Sequence, residues 1–162
     1  MNQLINFFWT IICFAPVLTY WFKAFDVRWL ITAIAVSVAA LIIPAKKLQL
    51  SYRSKFYEAL GVRFIRRFVQ NGDLANRRSR AKDPKYKHIR NRGQAQAYKH
   101  TIAMYERFHL LCLVFFFLTA ILAVFNGYYL LAALVIIGNV IYNILPILLQ
   151  QYNKTRLLNI SK

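Results

Sequence analysis

Apolar positions in this chain are gathered into four blocks, residues 4–22, 27–45, 110–125 and 128–149, and do not recur at the spacing of a half-buried helix. A helix rises about 1.5 Å per residue and a bilayer core is about 30 Å thick, so the blocks read as membrane spans, the second and third, near the short limit, mainly because each has a partner across a tight turn. The blocks pair across short turns, one at residues 23–28 and one at Asn126-Gly127. The fold class expected is therefore all-α: a polytopic membrane protein with four transmembrane helices in two hairpins. Buried helices of a soluble all-α protein are the alternative. The first block sits where a signal peptide would, but it lacks a basic leader and exceeds the usual apolar length, so it is expected to be retained.

Between the hairpins the pattern changes. In residues 55–70 the apolar positions Phe56, Leu60, Phe64 and Phe68 recur every four residues, with Arg63, Arg66 and Arg67 off that stripe. This predicts a basic amphipathic helix lying in the headgroup plane, although a helix packed under the bundle fits the same pattern. The chain then divides into a first hairpin (1–45), a basic segment with the interfacial helix (46–103), a second hairpin (104–156) and a tail (157–162).

Charge orients the hairpins. Of 22 Lys and Arg residues, 17 lie between Lys46 and Arg107, whereas the turn at Asn126-Gly127 carries none. The positive-inside bias places the middle segment and both termini in the cytoplasm, with the protein in the cytoplasmic membrane. A net charge of +17 would suggest nucleic acid in a soluble protein. Beside hydrophobic spans it is better explained by anionic lipid headgroups, and nucleic acid is not an expected partner. Residues 77–92 hold eight basic residues and a single acid, Asp83, which reads either as a solvated surface or as a phosphate-binding face. Cys13 and Cys112 lie inside spans, so no disulfide framework is expected.

Two polar features remain in the apolar blocks. Glu106 and His109 are three apart on a helix and share a face. A carboxyl beside an imidazole can orient the ring and raise its basicity, as a general base for a hydroxyl group requires. The competing reading has Glu106 paired with Arg107 or a loop arginine, and His109 idle. In the fourth block Asn139, Asn143, Pro146, Gln150 and Asn153 recur at spacings of four, three, four and three, one polar stripe on a greasy helix. Such a stripe can serve merely to hold helices together. Its end nevertheless coincides with the level of Glu106 and His109. Glu-x-x-His is half of a di-iron motif, but one such motif and five acids in all do not supply the rest, so no metal is expected.

These residues resemble a known family. The run Tyr142-Asn143-Ile144-Leu145-Pro146 through Gln150-Gln151-Tyr152-Asn153-Lys154-Thr155-Arg156 is similar to the Asn-x-x-Pro and Gln-Arg-Tyr-Asn-Arg-x-Arg ending of the glycosyl-4,4'-diaponeurosporenoate acyltransferases. Glu106 and His109 match that family's Glu-x-x-His before a span. Gln151 and Lys154 stand where the family has arginines, and its tryptophan-lysine signature after the first hairpin is missing. The resemblance implies a small membrane enzyme that moves a fatty acyl group to a hydroxyl of a lipid or glycolipid at the cytoplasmic leaflet; a carotenoid acceptor is not part of the expectation. The donor would be an acyl thioester co-substrate, with no cofactor. His109 would be the base, oriented by Glu106. Asn143, Gln150, Asn153 and Arg156 would bind the reacting group, and Arg63, Arg66, Arg77 and Arg78 the donor's phosphates. The alternative is a non-catalytic accessory subunit, with the stripe facing protein partners in a larger membrane complex.

Overall fold

The computed structural model describes residues 2–66 and 92–160, and every regular element among them is helical. α1 (Asn2–Lys23) and α2 (Val27–Ala39) come first, α2 running on through a 3-10 turn at Ala40–Ile42. Three short helices follow: α3 (Ala45–Leu48), α4 (Ser54–Ala59) and α5 (Val62–Ile65). α6 (Arg92–Phe125) has 34 residues and is about 51 Å long, uninterrupted because it contains neither proline nor an inner glycine. α7 (Tyr129–Asn139), a π-helical turn (Val140–Ile144) and α8 (Leu145–Ile160) form one continuous rod.

Gln96–Phe125 and Tyr129–Leu157 are long and apolar enough to cross a membrane, and only 33% and 28% of their most apolar stretches are buried. A soluble core helix would hide that surface. Here Phe117, Leu130, Ile136 and Ile137 face outward, as do Phe7, Ile11, Ile31 and Val38 on α1 and α2. The chain is a helical membrane protein.

The turn between α6 and α7 follows from Asn126-Gly127. Gly127 takes φ +76°, and the N–H groups of Gly127 and Tyr128 close back on the carbonyls of Val124 and Ala123. The turn is fastened from outside by Asn126, whose amide donates to the Tyr20 hydroxyl at 2.8 Å. Asp26 caps α2 by accepting from the Arg28 N–H at 2.9 Å, and its bonds from Arg28 hold the carboxyl below the usual carboxylate range.

α1 and α2 do not pack along each other. α2 lies on α6, and α1 lies mainly on α7 with further contacts to α6, so both arms pack on the second hairpin. One core results, with Cys13, Val17, Tyr20, Ala33, Phe116, Ala120, Ala132 and Val135 in it. On the face of α1 turned to this core, Thr10 Oγ1 lies 3.0 Å from the Tyr142 hydroxyl, and Cys13 is buried. Trp21 is buried, with Nε1 donating to Thr119 Oγ1 at 3.2 Å and its ring stacked on Phe115.

The helix predicted over residues 55–70 is broken. α4 ends at Ala59, Gly61 adopts φ +77°, and α5 begins at Val62; Phe68 and Gln70 lie outside the described residues. Only glycine enters that left-handed conformation without steric cost, which is why a four-residue periodicity did not become one helix. Tyr57 and Val62 are the buried positions, packed on Leu149 and Tyr152 of α8, while Phe56, Leu60 and Phe64 face outward.

Candidate active site

His109 on α6 meets Asn143 in the π turn, with Nδ1 3.5 Å from Oδ1. Its ring also reaches the Tyr142 carbonyl. A helix would normally satisfy that carbonyl from four residues ahead, but residue 146 is proline and has no N–H to give. Behind Asn143 the bonds continue: its Nδ2 donates to Asn139 Oδ1 at 2.8 Å, and Asn139 Nδ2 donates to the Leu113 carbonyl at 3.1 Å. Asn143 is wholly buried and Asn139 nearly so, and the chain of amides satisfies both.

One turn earlier on α6, Glu106 is 2% exposed and belongs to a different cluster. It accepts from Gln151 Nε2 at 3.1 Å and pairs with Lys154 Nζ at 3.5 Å. Gln151 uses every hydrogen-bonding position it has. Besides Glu106 it donates to the Leu48 carbonyl at 2.8 Å, and its Oε1 receives the Leu50 N–H at 3.2 Å and the Tyr57 hydroxyl at 3.1 Å. The Tyr57 oxygen in turn accepts from Gln49 Nε2 at 2.8 Å and the Ser51 N–H at 3.0 Å, and lies 2.8 Å from the Ser51 carbonyl. Burial pushes the Tyr57 phenol above its ordinary pKa. One glutamine therefore joins α6, α8 and the 48–57 segment.

Sequence spacing placed the polar stripe correctly up to Asn143 and then lost it. On an α-helix, Asn139 and Asn143 share a face with residues 146, 150 and 153. The π turn carries one extra residue, which advances the face by about 100° and brings Gln151 and Thr155 inward in place of Gln150 and Asn153. Gln150 and Asn153 are half-buried and make no hydrogen bond with the described residues. Arg156 is exposed, its guanidinium 5.5 Å above the Tyr152 ring. Arg63 is engaged by Glu58 at 2.9 Å, and Glu58 also accepts from the Tyr152 hydroxyl at 3.0 Å. Arg66 follows α5 at the edge of the described residues, and Arg77 and Arg78 lie outside them. Glu106 and His109 do share α6, but no bond joins them among the described residues; Gln151 and Lys154 hold the one, Asn143 the other. Sequence reasoning missed Tyr57, Gln151 and Lys154 as a cluster. The available signal was Pro146, which marks a disturbed helix without saying by how many residues the register slips.

A half-buried imidazole beside a buried asparagine amide, set between two long apolar helices, is the polar centre of a helical membrane protein. The model of the glycosyl-4,4'-diaponeurosporenoate acyltransferase family matches residues 42–162, which is 121 of the 162 residues, and the chain belongs to that family. It is thus an acyltransferase associated with the membrane. The match takes in α6 to α8 and the 45–66 segment, and leaves α1 and α2 outside. No curated protein and no solved structure matches the chain.

Proposed function

We propose that the chain is an O-acyltransferase of four spans that moves a fatty acyl group from a thioester donor to a hydroxyl of a lipid or glycolipid at the cytoplasmic leaflet. The observation that carries this reading is His109, the imidazole set between α6 and the π turn, in a chain of an acyltransferase family. In the step, the acceptor oxygen bonds to the acyl carbon and the carbon–sulfur bond breaks. His109 takes the hydroxyl proton and delivers it to the departing sulfur. Gln150 and Asn153, whose amides have no described partner, are the side chains to donate to the oxyanion on the carbonyl, with Arg156 beside them. Glu106 keeps α6 in register with α8 and does not touch the reacting atoms.

Arg66, Arg77, Arg78 and Arg156, with a share of Arg63, supply the positive charge that donor phosphates need. The excess of basic residues over 46–107 supports cytoplasmic termini and anionic inner-leaflet lipids as partners. Phe56, Leu60 and Phe64, exposed beside Lys55 and Arg63, suit the headgroup plane.

Membranes carrying the wild-type chain, incubated with a radiolabelled palmitoyl thioester, are expected to yield a labelled lipid released by mild alkali. His109→Ala should reduce this to background at equal abundance in the membrane. Normal turnover in that variant removes His109 as the base. No transfer by the wild type, together with strict co-purification of a second membrane protein, supports an accessory subunit instead.

A further inference from the structure

We propose that Asn143, and not Glu106, is the positioning residue of His109, holding the ring in the Nδ1–H form with Nε2 left to take the acceptor's proton. The inference rests on the reading of His109 as a general base and adds which nitrogen acts and what fixes it.

The direction of the amide chain decides the tautomer. A backbone carbonyl only accepts, so the Asn139 group 3.1 Å from the Leu113 carbonyl is its NH2. Asn139 then presents oxygen to its other neighbour, and the Asn143 group 2.8 Å away must be NH2 as well. That leaves the Asn143 oxygen, a pure acceptor, facing Nδ1 of His109. An amide that is free to flip cannot specify a proton; this one is not free, because the chain ends on a carbonyl. At 3.5 Å the last bond is long, of the kind that tightens when a base is engaged, and its direction comes from the bonds behind it.

The proton balance follows. The acceptor's O–H bond breaks as an N–H bond forms at Nε2, the ring becomes imidazolium, and the proton then passes to the departing sulfur. The Nδ1 proton stays in place throughout, since the Asn143 oxygen is not basic enough to receive it. A carboxyl at that place could receive it; an amide cannot.

The test uses the full chain in lipid nanodiscs with 15N-labelled histidine, recorded above pH 8, with His109 assigned by its loss in His109→Ala. The wild type should show the Nδ1–H pattern. Asn143→Leu should turn His109 to the Nε2–H form and cut turnover of palmitoyl-coenzyme A about a hundredfold. Asn143→Asp, which keeps an acceptor at the ring but loses the donor to Asn139, should restore the Nδ1–H form and part of the turnover. A wild-type ring in the Nε2–H form overturns the inference and leaves His109 as the base. So does Asn143→Leu with either its tautomer or its turnover unchanged. If that variant does not fold, the wild-type and Asn143→Asp spectra decide alone. Full turnover in His109→Ala removes the base reading but not the tautomer.

Discussion

Gln151 lies with its amide nitrogen 3.1 Å from the Glu106 carboxyl, deep between α8 and α6, and this contact closes a cluster that also reaches the backbone of Leu48 and Leu50. Leucine at position 151 would fill the space and satisfy none of those groups. A buried polar group without its partner costs about 1–3 kcal/mol, and several are stranded together. Gln151→Leu is therefore expected to lower the melting temperature in detergent by about 10 °C or more. A melting temperature within a degree or two of wild type would show that the cluster contributes little.

Glu106 is the second test of the same cluster. Glu106→Gln keeps the volume and an oxygen for Gln151 while removing the ion pair with Lys154. Glu106→Ala strands both partners, and breaking one side of a buried pair costs about 3–5 kcal/mol. If Glu106 holds helices together and does not orient His109, Glu106→Gln should keep most of the turnover, and Glu106→Ala should lose folded protein before specific activity. Specific activity per folded molecule, measured after size exclusion, separates the two. A hundredfold fall in Glu106→Gln at normal folding would return Glu106 to the catalytic step.

The hairpin was legible because its causes are local: two apolar blocks, a left-handed glycine at 127, and Asn139 and Asn143 four apart on a greasy helix. Beyond Asn143 the site was not legible. Periodicity assumes a constant number of residues per turn, and the π turn at Val140–Ile144 breaks that assumption where the stripe reaches His109. The Tyr57 contacts were hidden for another reason. Tyr57 and Gln151 are 94 residues apart, and neither side chain looks unusual in its own neighbourhood. The break at Gly61 belongs between these cases, since the glycine was visible but its positive φ was not.

Tyr57 gives a prediction in pH. Burial raises its pKa above the ordinary value of 10.0, so the neutral phenol is favoured in the folded chain. Below the unfolded value both states are protonated and the contribution is present in full; as pH rises through the folded value it is lost. Stability should fall above about pH 10 through this group. Tyr57→Phe should be less stable at pH 8 and lack that part of the alkaline decline. Melting curves between pH 8 and 11 for the two chains provide the check, and parallel declines would remove Tyr57 as the titrating group.

Gly138 sets how closely α1 approaches α7. A Cβ at this position would sit 3.2 Å from the Cys13 carbonyl oxygen, 3.6 Å from its Cα and 3.6 Å from its Cβ, so the neighbour that must yield is mostly backbone. Two helices cannot part by a few tenths of an ångström at one point without loosening the contacts on either side. Among these is Thr10 with Tyr142, whose ring also lies edge-on to His109 at 5.6 Å. Gly138→Ala is expected to cost about 1 kcal/mol, and Gly138→Val about 1–3 kcal/mol by forced overpacking. Turnover should fall more than stability does, because the displaced Tyr142 carries the carbonyl that His109 meets. Measuring melting temperature and turnover on the same samples decides it. Equal turnover in the alanine and wild-type chains, with a lowered melting temperature, would mean that α1 supports the fold without bearing on the histidine.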